Sequence, residues 1–246
     1  MAYQEDAALP GYWLYDGIRI QADVETHQFV IAYARRSVAA SARILDVAAG
    51  EGALTKQLLD AGFQAVSCTS WNDKLRMAVP SYRVDLDAPF SLNDVGGSPF
   101  DLVCAIEIIE HVENPASLLR HCAAVLAPGG RLIVSTPNVE SSVARLQWLM
   151  RGYPASFGPE EIRENRHISM MWRPGLEFLI ERAGLRVVEK HLVGKPRLKA
   201  SVRSVAKRGI YSLIRRLTAG EPDGSTRLYV LEVAGAPLRH GPQEVY

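Results

Sequence analysis

Cysteine is scarce in this chain. Cys68, Cys104 and Cys122 are the only three in 246 residues, and they form neither a CxxC pair nor a metal-finger spacing. That pattern argues against a disulfide framework and for buried, reduced thiols in a reducing compartment. Long apolar runs are also missing. No stretch reaches the roughly 18–20 residues of a membrane span. Met1 to Pro10 carries Glu5 and Asp6 where a secretory signal needs an apolar centre. A soluble cytoplasmic protein is therefore expected. Neither sign of charge is in excess: 28 Lys and Arg stand against 27 Asp and Glu, a formal net charge of +1. No global field calls for a nucleic-acid partner, and nucleic acid is disfavoured. There is no internal repeat and no linker long enough to separate two domains, so residues 1–246 are expected to form one domain.

What remains is an ordinary globular composition, 48% hydrophobic and 22% charged, enough for one sizeable core. Short apolar runs alternate with helical stretches. Helices are expected at Asp23–Ala40, Ala53–Ala61, Asp73–Val79, Pro115–Leu126, Ser141–Met150 and Pro174–Ala183. Strands are expected at Arg43–Ala48, Phe63–Thr69, Tyr82–Val84, Phe100–Ile106, Arg131–Thr136, Leu185–His191 and Thr226–Ala234. Ala127–Gly130 reads as a turn and Ser91–Pro99 as a loop. Strand and helix at this regular spacing predict an α/β fold, a parallel sheet with helices on both faces. Gly152–Arg166 interrupts the alternation and suits a lid or substrate loop. It falls in an insertion at 138–172, and residues 1–40 form an N-terminal cap.

Between the first main strand and its helix runs Ile44-Leu-Asp-Val-Ala-Ala-Gly-Glu-Gly-Ala53. Ala48, Gly50 and Gly52 alternate, so the backbone can approach a ligand closely at a helix start. Asp46 ends the strand as an acceptor for a ligand amine. No GK[ST] follows, which argues against a phosphate loop, and Ala, Leu and Thr follow Gly52 where a GxGxxG dinucleotide turn would continue.

Four segments, taken in order, resemble the class I S-adenosylmethionine (SAM)-dependent methyltransferases. Leu45–Gly52 is similar to their first motif, LDxGxGxG. Asp85-Leu86 is similar to the adenine-holding position after the third strand of the sheet. Phe100–Glu107, which includes Ile106, is similar to the fourth strand, and Leu126–Val134 to the turn into the fifth. The resemblance covers about Arg43 to Leu192, with a final strand at Thr226–Ala234. It implies a Rossmann-like sheet of seven strands, the last antiparallel, with SAM as cofactor and S-adenosylhomocysteine as product. The implied cofactor residues are Asp46, Ala48, Gly50, Gly52, Thr69, Trp71, Asp85, Leu86, Ile106 and Glu107. Two positions depart from the pattern. Ala48 replaces the first glycine, which suits alanine if φ stays below zero. Thr69 stands where the family usually places an acid on the ribose hydroxyls; Thr69 or Asn72 replaces one such hydrogen bond, and Asp73 lies one turn away. Trp71 is open to two readings, a wall for adenine or an ordinary packed or surface aromatic.

Glu107-Ile-Ile-Glu-His111 follows the fourth strand, the region that faces the methyl group in the family. Carboxylate and imidazole there suit general-base work on a hydroxyl, and Glu107, His111 and His167 are the candidate catalytic residues. ExxEH also resembles the metal-binding segment of small-RNA 2′-O-methyltransferases and of ubiquinone-biosynthesis O-methyltransferases. That likeness implies a divalent site, such as Mg, at Glu107, Glu110, His111 and His167. Catalysis, metal binding and a structural role all remain open for His111. His27, His121 and His191 carry no functional reading.

From Lys195 to Arg216 there are eight Lys and Arg and no acid. Segment 195–217 is expected to be helical. It is read as a core-packed helix with a solvated basic face, or as peripheral contact with an anionic membrane at its inner face or with a lipid-linked substrate; RNA is a third reading, without the dense aromatic–basic interleaving used in single-strand binding. The order Glu107–Pro115, Ser135–Asn138, His167–Trp172, Glu181–Leu185 resembles bacterial methyltransferases of cell-surface glycan assembly. It implies O-methylation of a sugar or small molecule, with Tyr12, Trp13 and Tyr15 either stacking on a sugar ring or packing the N-terminal segment. A metal-dependent RNA 2′-O-methyltransferase and a non-catalytic scaffold with a SAM fold are the competing expectations.

Overall fold

The computed structural model describes residues 3–9, 11–70, 74–194, 209, 210, 212–214, 216, 217, 219–221 and 223–235. It opens with a small antiparallel sheet of β1 (Tyr3–Glu5), β2 (Trp13–Tyr15) and β3 (Ile18–Ile20). The main body follows in the order α1 (Val24–Ser37), β4 (Arg43–Asp46), α2 (Ala53–Asp60), β5 (Ala65–Thr69), β6 (Ser81–Tyr82), β7 (Phe100–Ala105), α3 (Pro115–Ala124), β8 (Leu126–Pro137), α4 (Ser142–Arg151), α5 (Arg173–Arg182), β9 (Leu185–Val193) and β10 (Thr226–Val233). Seven strands pair in the order β6-β5-β4-β7-β8-β10-β9. β6, β5, β4, β7 and β8 run parallel, and β10 lies antiparallel between β8 and β9. This is the Rossmann-like seven-stranded arrangement, with its last strand reversed.

The strands explain the layers. Successive side chains on a strand point to opposite faces, and a sheet covered on both sides needs apolar residues at every position. Ile44, Leu102, Cys104, Ile133, Leu228 and Val230 pack on one face with Val30, Tyr33, Leu54 and Leu58 of α1 and α2. Their neighbours Leu45, Val103, Leu132, Val134, Tyr229 and Leu231 pack on the other with Leu118, Leu119, Leu176 and Ile180 of α3 and α5. Cys68, Cys104 and Cys122 are all buried and free.

Several segments differ from expectation. The small N-terminal sheet was not foreseen; it packs Tyr15, Ile18 and Ile20 against Ala53 at the start of α2. Residues 74–79 form no helix. The Arg76 backbone N–H donates instead to Glu51 O (3.0 Å) and its guanidinium to Gly17 O (2.6 Å), which binds this segment to the glycine loop and the N-terminal sheet. Within the loop 91–99, Leu92–Val95 makes one 3-10 turn, capped reciprocally by Ser91 and Asp94. Residues 127–130 run within β8 in place of a free turn. Glu161–Asn165 forms a π-helical turn inside the insertion. Residues 195–208 of the basic segment lie outside the described residues; described positions between 209 and 217 are helical. No helix among the described residues is long and apolar enough to cross a membrane.

Candidate active site

Parallel pairing brings the carboxyl ends of β4, β5, β6, β7 and β8 to one edge. Asp46 lies beside Cys68 and Cys104 in register, and Thr69 beside Tyr82. Asp85 and Leu86, three and four residues after Tyr82, therefore stand on the same edge as the glycine loop. Asp85 is exposed, and its Oδ1 accepts from the Asp87 N–H at 3.0 Å. Leu86 and Ile106 are half-buried, each against one of the two cores. Trp71, Asn72 and Asp73 lie outside the described residues.

The loop after β4 turns through left-handed backbone three times, with φ of 58° at Ala48, 58° at Gly50 and 95° at Gly52. The expected negative φ at Ala48 is thus replaced by a conformation that strains alanine. Thr69 braces it: Ala48 N–H donates to Thr69 Oγ1 (2.9 Å) and Ala49 N–H to Thr69 O (3.0 Å). Thr69 is 1% exposed, so its hydroxyl serves the loop backbone in place of the ribose contact expected of it. A side chain at either glycine would also have to displace its neighbours. A Cβ at Gly50 would collide with the Gln21 side-chain amide, and one at Gly52 would fall 2.7 Å from Met77 Cγ and 3.0 Å from Leu75 Cδ1. Beneath the loop Asp46 is buried and accepts from Thr55 Oγ1 at 2.7 Å; burial raises its pKa to about 7 against the hydrogen bonds from Thr55. A loop of left-handed backbone at the start of α2, a buried carboxylate below it and Asp85 along the same edge fit an adenosyl amino acid.

Beyond β7, Glu107 is held on both sides by Ser135. Its N–H donates to Ser135 Oγ (3.0 Å), and that hydroxyl donates back to Glu107 Oε1 (2.8 Å). Its φ of 49° is left-handed. Burial raises its pKa to about 8; the Ser135 hydrogen bond opposes this and the charge of Asp23 adds to it.

Glu110, His111 and His167 converge. One ligand atom from each lies within 4.8 Å of the others. The segment that brings His167 in is fastened by Ile168 and Ser169, whose N–H groups donate to Glu110 O (3.0 and 2.9 Å). The imidazoles meet edge to face with centroids 4.7 Å apart. His167 Nδ1 faces the Ser156 carbonyl at 2.7 Å and so carries the proton, which leaves Nε2 as a lone-pair donor. Burial and then the His167 charge lower the His111 pKa to about 4, and burial lowers that of His167, so both rings are neutral ligands at neutral pH. Glu110 is fully buried; neither of its carboxylate oxygens meets a donor at full hydrogen-bond geometry, and the Thr136 hydroxyl and the residue's own backbone only partly offset its burial. Burial, then repulsion from Glu107, pushes its pKa well up. A buried carboxylate without a donor is costly unless a cation offsets it, and one oxygen with two imidazole nitrogens is a sound donor set for a divalent metal. Of the four ligands expected, Glu107 stands outside this group, because its carboxylate is engaged by Ser135.

Ser135, Thr55, Ser156 and Gln21 were not among the sequence candidates. Ser135 and Ser156 lay in segments already singled out, Ser135–Asn138 and Gly152–Arg166; Thr55 and Gln21 act through contacts that no local pattern announces.

The sequence profile of a family described as "Methyltransferase domain" matches residues 25–190. The chain belongs to that methyltransferase family. Among curated relatives, the "Ubiquinone biosynthesis O-methyltransferase" of Caulobacter sp. is 33% identical over 103 residues, 39% of this chain and 41% of the relative. This methyltransferase thus spans less than half the length of the curated relatives it matches. A SAM-dependent methyltransferase from Archaeoglobus fulgidus superposes with a TM-score of 0.56 at 16% identity, covering 83% of this chain and 93% of that one. The magnesium protoporphyrin IX methyltransferase of Synechocystis PCC 6803, solved with bound SAH, gives 0.55 at 14% identity, covering 85% and 82%. These two likenesses establish the fold.

Proposed function

We propose that this methyltransferase transfers the methyl group to an acceptor hydroxyl held beside Glu110, His111 and His167, with a divalent cation at those three residues. The observation that carries this reading is the Glu110 carboxylate, fully buried with no donor at full hydrogen-bond geometry and converging with two neutral imidazoles. SAM supplies an electrophilic methyl group. A divalent cation in such a site supplies Lewis acidity, which lowers the pKa of a bound hydroxyl. The chain's own part is orientation. The Ser156 carbonyl fixes the His167 tautomer, Ser135 fixes Glu107, and the glycine loop with Asp46 and Asp85 fixes the donor, so that little beyond alignment is needed for displacement at the methyl carbon. Glu107, held by Ser135 and with its pKa raised by burial to about 8, orients the acceptor.

Likeness to the ubiquinone-biosynthesis O-methyltransferases supports a small-molecule hydroxyl as acceptor. The glycan reading rests on the sequence pattern alone. The metal-dependent RNA reading would use the same three ligands, and the near-zero net charge speaks against it. The deciding experiment uses the purified protein with tritium-labelled SAM and fractionated small-molecule, glycan and RNA extracts, with Mg or Mn and with chelator. Label entering a small-molecule fraction only with metal present supports the proposal. Label that survives chelation sinks the metal assignment. Calorimetry that finds no binding of SAM or of S-adenosylhomocysteine would point to a scaffold.

A further inference from the structure

We propose that Thr136 is the positioning residue of the cation site: its hydroxyl donates to the ionised Glu110 carboxylate and holds it turned toward His111 and His167. This rests on the cation reading above and adds to it a residue that acts through a ligand. Side chains on β8 alternate between the two faces of the sheet. Val134 packs with Ile109 and Val112 in the core beneath α3 and α5. Thr136, two positions on, points to the same face. Glu110 belongs to the 3-10 turn Ile109–His111, which packs on β8. Both side chains are wholly buried, at 0% exposure. The Thr136 hydroxyl bears on the Glu110 carboxylate and favours its charged form, against the burial that disfavours it. Neither group is yet satisfied: Thr136 Oγ1 and both Glu110 oxygens lack a partner at full hydrogen-bond geometry.

The chemistry of the two groups is complementary. A threonine hydroxyl has one proton to give, and a carboxylate bound to a cation keeps lone pairs to spare. In a dry core each group costs free energy until it is paired. Ionisation of Glu110 therefore draws the hydroxyl into full contact, which fixes the carboxylate plane. Carboxylates that ligate metals are themselves hydrogen-bonded from behind, and loss of that partner weakens metal binding about ten- to hundredfold. A second neighbour competes for the hydroxyl. Arg227 stands directly across from Thr136 on β10. Its buried guanidinium gives Nε to Glu221 (2.9 Å) and Nη2 to Asn138 Oδ1 (3.1 Å), with Glu140 Oε2 at 3.2 Å, while Nη1 meets no partner. An arginine offers only donors, so it cannot take the threonine proton. Of these two neighbours, only Glu110 can accept it.

The test measures Mn binding to the full chain without SAM, by electron paramagnetic resonance of the free ion, beside the metal-free melting temperature and the S-adenosylhomocysteine affinity. Thr136→Val keeps the shape and removes the proton; Thr136→Ser keeps the proton. Wild type is expected to bind Mn, Thr136→Val to bind it at least about tenfold more weakly, and Thr136→Ser to return toward wild type. Without metal, Thr136→Val should melt no lower than wild type, because the hydroxyl it loses has no full hydrogen bond there. S-adenosylhomocysteine should bind all three proteins alike. Mn affinity unchanged in Thr136→Val overturns the role of Thr136 and leaves the cation site standing. A lowered melting temperature with parallel losses of Mn and S-adenosylhomocysteine affinity overturns it in favour of a structural role. A wild type that binds no Mn overturns the cation reading itself, and the role of Thr136 falls with it.

Discussion

The hydroxyl of Thr69, at the end of β5, accepts a 2.9 Å hydrogen bond from the N–H of Ala48 in the loop after β4. Two departures from the family pattern are thereby one feature: the residue that replaces an acid holds the residue that replaces a glycine. Thr69→Val keeps the shape and removes the acceptor, and should cost about 1 kcal/mol in urea unfolding. Ala48→Gly should relieve strain of roughly 1 kcal/mol, less the entropy of the added glycine. In the double variant the Thr69→Val cost should shrink, because glycine reaches a φ of 58° unaided. Additive effects would show that the hydrogen bond and the strained backbone are uncoupled.

Asp46 makes stability depend on pH in a stated direction. Its folded pKa is about 7, against 3.8 for an unperturbed group. Between these values the native state holds a proton that the unfolded chain has lost. Stability is therefore fully present below the unfolded pKa and falls as pH rises through about 7. Asp46→Asn should flatten this contribution, so that the variant gains on wild type between about pH 4 and about pH 7 by an amount on the order of a few kcal/mol. Parallel pH profiles for the two proteins would mean that Asp46 is ionised at little cost.

Much of this layout is legible in the amino-acid order. Ile44-Leu45 and Val103-Cys104 are continuous apolar pairs, and only a sheet covered on both faces buries such neighbours on opposite sides. Glycines at 50 and 52 announce a close approach, and Glu110, His111 and His167 announce a donor set. The rest depends on contacts between segments. Tyr3–Glu5 is too short and too exposed to show the alternation of a strand. The φ of Ala48 is decided by Thr69, 21 positions away, and the clamp on Glu107 by Ser135, 28 positions away. Residues 74–79 have a helix-like composition, but the Arg76 N–H donates to Glu51 O in the glycine loop.

Asp85 offers a simple check on the donor site. It is exposed, and one carboxylate oxygen already accepts from Asp87 N–H, so only the other is free for a ligand amine. A single hydrogen bond at an open site contributes about 1 kcal/mol. Asp85→Asn should therefore weaken S-adenosylhomocysteine about fivefold in calorimetry, and Asp85→Ala somewhat more, because alanine also releases the turn at Asp87. An affinity unchanged in both would place adenine elsewhere along the edge.

Glu110 separates the metal reading from a structural one. If this carboxylate served only packing, Glu110→Gln, nearly the same shape and neutral, would alter little beyond the cost of a buried amide, and added metal would leave both proteins unmoved. If the three side chains hold a cation, wild type should gain thermal stability with Mn, by about 2.7 kcal/mol at a hundred times the dissociation constant. Glu110→Gln should lose that gain, because the amide oxygen carries no charge to meet the ion. His167→Ala should lose it as well, yet keep the raised pKa of Glu110, since that shift comes from burial and from Glu107. The two variants therefore differ without metal. His167→Ala should retain the wild-type fall in stability as pH rises, whereas Glu110→Gln should flatten it, since the native Glu110 keeps its proton where the unfolded chain has released it. A wild-type melting temperature indifferent to Mn, Mg and Co would leave the unpartnered carboxylate as a neutral acid in the core.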